Sequence, residues 1–167
     1  MRILTAGKSN RNGYTLIELV AVVVLISIFL TIAIPKLRET LFSSGLKSAV
    51  RKLSGTIGQL RADAVREHKE LWLHLDLESN SYWITSSGMS DEEREGVAPR
   101  PFPSGVDLID VDTTTGKVTI GSTAIRFSPR GYVEETRIHL SDDAGTVYTL
   151  LIQPFLPKVK IENDYVE

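Results

Sequence analysis

The feature that most constrains this chain is an apolar run of 21 residues, Tyr14 to Ile34, in which Glu18 is the only charged residue. A helix of that length spans about 31 Å, close to the roughly 30 Å hydrocarbon core of a bilayer. Because apolar side chains fill every face, the run does not suit a helix lying on a membrane surface. A chain of 167 residues is too small to enclose such a helix on all sides. We therefore expect residues 14–34 to span a membrane and contact its lipid.

A basic leader, residues 1–13, precedes the run and carries Arg2, Lys8 and Arg11 but no acidic residue. A secretory signal peptide also begins with basic residues, but its apolar region has roughly 7–15 residues and a small-residue cleavage site follows it, which this chain lacks. Basic residues flank both ends of the run, so charge alone leaves its orientation open. We expect the N-terminus to lie inside the cell. The translocation of a large domain depends little on the charges beside it, so the leader cations are the better guide to the orientation of the span.

The composition excludes several kinds of site. With no cysteine, the chain has no thiolate nucleophile, no cysteine-ligated metal and no disulfide. The formal net charge of −2 argues against a protein that binds nucleic acid through bulk electrostatics. The sequence has no serine-nucleophile, phosphate-loop or calcium-loop motif, and its histidines lack metal-ligand spacing. They are His68, His74 and His139. We therefore expect no enzyme, no catalytic residue, no metal site and no cofactor.

Beyond Pro35 an apolar stripe with three- and four-residue spacing predicts an amphipathic helix to about residue 68. Its apolar positions are Leu37, Leu41, Leu46, Ala49, Val50, Leu53, Ile57, Leu60 and Ala64. From residue 70 the period changes to 2, which predicts a hairpin of strands Leu71–Leu77 and Tyr82–Thr85. Trp72 and Trp83 in this hairpin are interpreted as packing residues.

Residues 86–105 are polar, acidic and then proline-rich, which predicts a long exposed loop. Short strands are predicted after this loop, between turn sequences. They cover residues 106–111, 118–120, 123–128, 136–140 and 146–153. The predicted fold class is α+β: a long N-terminal helix, whose first half spans the membrane, packed on an antiparallel β-sheet or sandwich that extends over about residues 70–161.

The stretch KSNRNGYTLIEL, Lys8 to Leu19, is a short basic leader ending in glycine before an aromatic residue. It resembles the class III signal of type IV pilins and type II secretion pseudopilins. The resemblance implies that a prepilin peptidase cleaves between Gly13 and Tyr14 and methylates the new amino group of Tyr14. That family usually has Phe, sometimes Met, as the first mature residue, whereas this chain has Tyr14.

The resemblance also implies that Glu18 and Pro35 act in filament assembly, Glu18 by meeting the N-terminal amine of a neighbouring subunit. A carboxylate in an apolar helix is costly and should have such a partner. Two simpler interpretations stay open. Glu18 reaches the membrane interface, and Pro35 ends or kinks the helix.

A second stretch, Ile125–Gly131, together with Arg137–Ser141 and Tyr148–Ile152, is similar to the C-terminal domain of GspH/FimT-type minor pseudopilins. The two resemblances imply a cleaved leader at 1–13, a transmembrane and filament-core helix at 14–35, and a periplasmic globular domain at 36–167. A simpler interpretation is that Pro129 and Gly131 only form a tight turn.

Three functions remain open. The first is a minor pseudopilin, a structural subunit of the type II secretion pseudopilus needed to export periplasmic proteins across the outer membrane. The second is a FimT/FimU-like minor type IV pilin that acts in pilus assembly or DNA uptake. The third is an ordinary bitopic enzyme, which the lack of a site disfavours. Removing the three leader cations leaves 16 basic against 21 acidic residues, a net charge of −5, so no nucleic acid is expected.

The resemblance also supplies partners and a location. The implied partners are the prepilin peptidase, other major and minor pseudopilins, and the inner-membrane assembly platform. The implied location is the bacterial inner membrane, crossed once with the N-terminus in the cytoplasm and the C-terminal domain in the periplasm, followed by the periplasmic pseudopilus.

Overall fold

The structure is a computed structural model. It describes residues 16–166, and for residues 31–44 it describes the backbone alone. The chain divides into two compact units, Met1–Arg38 and Glu39–Glu167. One helix, α1, runs from Leu16 to Glu67, so the helix continues through Pro35 and does not end there.

The C-terminal end of α1 is fixed by the backbone of the residues that follow it. His68 adopts the left-handed conformation with φ 53°, and the Lys69 N–H donates to the Ala64 carbonyl at 3.2 Å. This is the Schellman arrangement, which satisfies a carbonyl left over in the last turn. The helix therefore ends within a residue of the predicted position.

The described residues after α1 form nine strands and one short helix. In chain order these are β1 (Leu71–Asp76), β2 (Ser81–Ser86), α2 (Asp91–Glu95), β3 (Arg100–Pro101), β4 (Val106–Thr113), β5 (Gly116–Val118), β6 (Ser122–Phe127), β7 (Thr136–Asp142), β8 (Val147–Ile152) and β9 (Lys160–Glu162). One sheet has the order β3-β2-β1-β6 and the other β5-β4-β7-β8-β9, with antiparallel pairing throughout. The predicted α+β class with antiparallel sheets is confirmed.

One hydrophobic core joins α1 to both sheets. The predicted stripe of α1 is confirmed from Leu46 to Ala64, where each of its side chains is at most 5% exposed. In β1 the residues Leu71, Leu73 and Leu75 alternate into the same core, as the period of 2 predicts. The side chains of Leu37 and Leu41 lie outside the described residues.

The prediction for residues 86–105 was wrong in part, because this segment contains α2 and β3. Helix α2 begins with a capping box: Ser90 Oγ accepts from the Glu93 N–H at 3.2 Å, and Glu93 Oε2 accepts from the Ser90 N–H at 2.8 Å. Strand β3 pairs with β2 through Arg100 and Tyr82. The acidic and proline-rich composition is typical of a loop, so neither element was predicted.

Two strand predictions near the C-terminal end also need correction. The strand predicted at residues 118–120 lies at Gly116–Val118, and β9 was not predicted as a separate strand. The turn after β6 does form as predicted. The Gly131 N–H donates to the Ser128 carbonyl at 2.9 Å, and Gly131 has φ 79°, a conformation that favours glycine.

Among the residues that the structure describes, no helix has both the length and the apolar character needed to cross a membrane. The span predicted for residues 14–34 is therefore not confirmed and stays a prediction. Tyr14 and Thr15 lie outside the described residues.

Candidate functional site

The predicted assembly residues are described to different extents. Gly13 and Tyr14, the predicted cleavage and methylation site, lie outside the described residues. The backbone of Pro35 lies within α1, and its side chain is not among those that the structure describes. Glu18 lies in the first turn of α1, where the partial positive charge of a helix N-terminus favours a carboxylate. The predicted contact between Glu18 and a neighbour's Tyr14 therefore stays a prediction.

The first 15 described residues, Leu16–Leu30, form what we call the apolar segment. All of them are exposed, and the large hydrophobic side chains range from 47% exposed at Val22 to 79% at Leu16. Exposed apolar surface of this extent marks a site of contact with another protein or a membrane. The chemistry of the apolar segment therefore suits a second apolar surface, either a neighbouring helix or lipid.

A cavity of about 450 Å³ lies on the outer face of the first sheet. The His74 ring is parallel to that of Trp83, with centroids 5.0 Å apart, and His74 Nε2 lies 2.9 Å from Thr85 Oγ1. Burial lowers the pKa of His74, because desolvation disfavours the charged imidazolium. Trp72 also lines this cavity, so both tryptophans lie at a surface cavity and outside the core.

A buried polar cluster, Asp110, His139 and Thr149, lies on the second sheet. A β-bulge between Leu108 and Asp110 shifts the register of β4, so Asp110 pairs with His139 of β7, which in turn pairs with Thr149 of β8. Their neighbours Val111, Ile138 and Leu150 belong to the core, so by strand alternation the cluster lies on the opposite face. The three side chains are nevertheless only 1–2% exposed.

Residues 164–166, which we call the C-terminal segment, cover this polar cluster. The Tyr165 ring stacks on His139 with centroids 4.0 Å apart, and its hydroxyl donates to Asp110 Oδ2 at 3.1 Å. His139 Nδ1 lies 2.6 Å from Asp110 Oδ1, and Nε2 lies 3.1 Å from the Val166 carbonyl oxygen. Each ring nitrogen of His139 therefore lies within hydrogen-bond distance of an oxygen atom, one on β4 and one on the residues that follow β9.

Two further groups attach the C-terminal segment to the sheet. Thr149 Oγ1 donates to the Asp164 carbonyl at 2.6 Å and accepts from the Val166 N–H at 3.2 Å. Lys117 Nζ donates to the Tyr165 hydroxyl and lies 3.4 Å from Asp110 Oδ2. The pKa of Lys117 is raised mainly by the hydrogen bond with Tyr165 and, to a smaller extent, by the charge of Asp110. This arrangement fastens a terminal segment and was not predicted from the sequence.

The described residues give no indication of a metal centre. Among the side chains that the structure describes, those of residues 16–30 and 45–166, no group of three or more His, Asp and Glu side chains is placed to hold a metal ion. His139 and Asp110 form the closest pair of such groups described above, and the C-terminal segment occupies the remaining ring nitrogen.

Comparison with known proteins gives one finding. The sequence matches the family model of the prokaryotic N-terminal methylation motif over residues 8–34. No curated protein matches the chain, and no solved structure matches it. The match covers part of the leader and the apolar run and supports a type IV pilin-like prepilin, which implies processing by a prepilin peptidase and assembly with other pilins. Membership of the GspH/FimT-type group stays a prediction.

Proposed function

We propose that this chain is a minor pseudopilin of a type II secretion system, a structural subunit and not an enzyme. It is held in the bacterial inner membrane and assembles into the periplasmic pseudopilus that exports periplasmic proteins across the outer membrane. The observation that carries the proposal is the overlap of two features. The methylation motif at residues 8–34 coincides with the apolar segment, whose side chains are all exposed.

This overlap suggests an order of steps for processing and assembly of the chain. Cleavage after Gly13 releases a charged amine at Tyr14, four residues before the carboxylate of Glu18. The amine of one subunit then contacts Glu18 of the next. The apolar segments leave the lipid and pack against each other. The prepilin peptidase, other pseudopilins and the assembly platform of the inner membrane are the partners in these steps.

Charge favours a secretion subunit over the alternative of a FimT/FimU-like minor type IV pilin that takes up DNA. After removal of the leader the net charge is −5. A protein that neutralises DNA phosphates needs an excess of Lys and Arg over Asp and Glu. An acidic chain is instead repelled by nucleic acid at long range.

Substitution of Gly13 tests the first step. We expect Gly13→Leu to stay at full length when expressed with a prepilin peptidase, because a large side chain at the cleavage junction blocks access to the peptide bond. Gly7→Leu, a glycine substitution earlier in the same leader, is the matched control and should be cleaved. Intact mass and N-terminal sequencing of membrane-extracted protein measure both. A mature N-terminus beyond Pro35 contradicts the proposal.

A second experiment separates the two filament systems. The gene is deleted in its own host and complemented with wild type or Gly13→Leu, and protein secretion and DNA uptake are measured in parallel. We expect wild type, but not Gly13→Leu, to restore secretion, with DNA uptake unaffected throughout. Loss of DNA uptake with intact secretion would favour the type IV pilin alternative.

A further inference from the structure

The cavity on the outer face of the first sheet has an aromatic floor. Trp72 and His74 lie on β1, where they alternate with the core leucines and therefore point to the opposite face. Trp83 of β2 and the small Ala124 of β6 lie directly opposite His74. The three rings and Ala124 line the cavity, whose volume of about 450 Å³ is within the roughly 300–1,000 Å³ of small-molecule sites.

A ligand can reach all three rings of this floor. Trp72, His74 and Trp83 are partly exposed, in contrast to the enclosed leucines of the core. Large aromatic side chains usually bury their surface in a core or an interface, so accessible rings on the wall of a cavity indicate a contact surface. The sequence contains two tryptophans, and both line this cavity.

The imidazole of the floor is fixed in position and uncharged. The His74 ring stacks on Trp83, and its Nε2 lies 2.9 Å from Thr85 Oγ1. Thr85 is 6% exposed, so it positions the imidazole and does not itself contact a ligand. Burial keeps the pKa of His74 below its usual value, so the ring is neutral at pH 7. The floor therefore offers ring surface without charge.

One wall of the cavity carries a pair of opposite charges, Arg94 and Glu95 of α2. The Arg94 side chain is 42% exposed, and its Nη1 lies 3.8 Å from Asp91 Oδ1, beyond hydrogen-bond distance. Glu95 is exposed and forms no ion pair among the described side chains. An arginine only donates hydrogen bonds, and an ionised glutamate only accepts them. The wall thus offers both kinds of hydrogen bond and no net charge.

This wall is in place before a ligand arrives. The capping box holds the first turn of α2, and at its end the Gly96 N–H donates to the Glu92 carbonyl at 3.0 Å. The segment that leads into α2 is attached by the Ser87 N–H, which donates to the Glu70 carbonyl at 2.9 Å. A preformed site loses less entropy when a ligand binds.

The floor and the wall together select among three classes of ligand. An aromatic side chain would stack on the rings but would cover Arg94 and Glu95 without satisfying their hydrogen bonds. A nucleotide would also stack, but its phosphate would be repelled by Glu95 and by a chain of formal net charge −2. A sugar has a flat C–H face that packs on an aromatic ring, and hydroxyls that both donate and accept hydrogen bonds.

We propose that this cavity binds a neutral carbohydrate chain, with Trp72 and Trp83 packed on the sugar rings and the side chains of Arg94 and Glu95 bonded to the hydroxyls. Sugars with equatorial hydroxyls have the flattest C–H faces, so a chain of β-linked glucose units is the class that fits best. The site uses none of the residues on which the proposed function depends, so either can fail without the other.

The first experiment uses cellotetraose, a neutral chain of β-linked glucose, as the probe. The full chain is kept in a polyoxyethylene alkyl ether detergent, which has neither a sugar headgroup nor an aromatic ring. Because both tryptophans line the cavity, their fluorescence and their indole N–H signals in NMR report on this cavity alone. We expect a saturable change in both with cellotetraose. Sorbitol, an open-chain polyol used at the same concentration of hydroxyl groups, should cause none.

Substitutions on α2 test the polar wall without changing the aromatic floor. Arg94→Ala and Glu95→Ala should each weaken cellotetraose binding about tenfold, as for the loss of a hydrogen bond to a charged group. Glu92→Ala removes an exposed acidic side chain of the same helix outside the cavity, so it should leave binding unchanged. Circular dichroism and the Tm without sugar show whether each variant is folded.

Substitutions of Trp83 test the aromatic floor. Trp83→Leu removes the ring and keeps an apolar side chain, so the remaining indole of Trp72 should no longer respond to cellotetraose. Trp83→Phe retains a smaller ring and should bind with reduced affinity, which a merely structural role of Trp83 does not predict. Phe155→Leu, at a ring that is 87% exposed outside the cavity, is the matched control and should bind as wild type.

A second probe, N-acetylphenylalaninamide, represents an aromatic side chain of a partner protein. A saturable response to this amide with none to cellotetraose overturns the proposal and assigns the cavity to a protein partner. Three other results also overturn it. These are no saturable change up to about 20 mM cellotetraose, well above the roughly 1 mM dissociation constant of a weak site, an equal response to sorbitol, or undiminished binding in both Trp83→Leu and Arg94→Ala.

Discussion

Helix α1 contains two apolar stretches that differ in what surrounds them. In the apolar segment, Leu16–Leu30, the large hydrophobic side chains are 47–79% exposed, whereas the stripe from Leu46 to Ala64 is at most 5% exposed. The stripe is confined to one helical face, and the two sheets cover it. The apolar segment has hydrophobic side chains on every face. The buried stretch is stabilised by packing within its own unit, whereas we propose that the apolar segment finds its partner surface in another molecule.

Removal of residues 1–38 should change the behaviour of the chain most. A chain that begins at Glu39 keeps the whole core and loses the apolar segment, so we expect it to be soluble without detergent and folded. Circular dichroism should show mainly β structure with one helix. The control begins at Val50 and lacks Leu46 and Ala49 of the core, so it should be much less stable. Aggregation of the chain that begins at Glu39 would show that the apolar segment is needed by the domain.

Glu18→Ala should impair assembly and leave membrane insertion intact. Removing a charge from an apolar helix eases insertion, by up to about 3 kcal/mol at the bilayer centre. In a filament the neighbour's amine would lose its partner, and breaking a buried pair typically costs about 3–5 kcal/mol. We expect a stable, processed, membrane-bound subunit with reduced cross-linking to its neighbours and reduced secretion.

Two further variants sharpen the Glu18 experiment. Glu18→Gln keeps the shape and loses the charge, so it should resemble Glu18→Ala. Glu67→Gln removes an acidic group at the other end of α1 and should assemble as wild type. If processed Glu18→Ala cross-links and supports secretion normally, Glu18 only reaches the membrane interface.

A matched pair of leucine substitutions compares the two stretches directly. Leu53 is 1% exposed and Leu25 is 54% exposed in the same helix. Leu53→Ala should lower the free energy of unfolding by about 2–5 kcal/mol, since it leaves a cavity in the core. Leu25→Ala should change it by less than about 0.5 kcal/mol. Urea unfolding in non-ionic detergent, followed by tryptophan fluorescence, measures both, and a comparable loss in Leu25→Ala would remove the distinction between the stretches.

The features predicted correctly from the sequence are those with a regular period. The spacing of the stripe from Leu46 to Ala64 fixes which face of α1 is buried, and the alternation of Leu71, Leu73 and Leu75 fixes the buried face of β1. Both follow from side-chain geometry within one element. The methylation motif is likewise a local pattern, readable without knowledge of the fold.

Features that depend on contacts between distant elements were not predicted. The polar cluster requires a β-bulge that places Asp110 opposite His139, and a terminal segment that brings Tyr165 over the ring. Neither the bulge nor the position of the segment leaves a pattern in the sequence. The capping box of Ser90 and Glu93 was readable in principle, but it lies in a segment whose acidic residues dominated the interpretation.

The smallest expected effect concerns His74, in the folded domain and far along the chain from the apolar segment. Burial lowers the pKa of His74 below its usual 6.5. As the pH falls below 6.5, the unfolded chain takes up a proton that the folded chain does not, so the contribution of His74 to stability is present above 6.5 and is lost as the pH falls through the lowered pKa. His74→Phe keeps a ring beside Trp83 and cannot titrate.

We therefore expect wild type to lose more stability than His74→Phe between about pH 7.5 and pH 5.5. Urea unfolding at both pH values gives the two losses, and their difference isolates His74 from the other titrating groups, which both chains share. If the domain is independent of the apolar segment, the difference should be the same in the full chain and in the chain that begins at Glu39. An equal loss in wild type and His74→Phe would mean that protonation of His74 does not differ between the folded and unfolded chains. A difference that appears only in the full chain would instead show that the apolar segment influences the domain, and would contradict the division of α1 into two independent stretches.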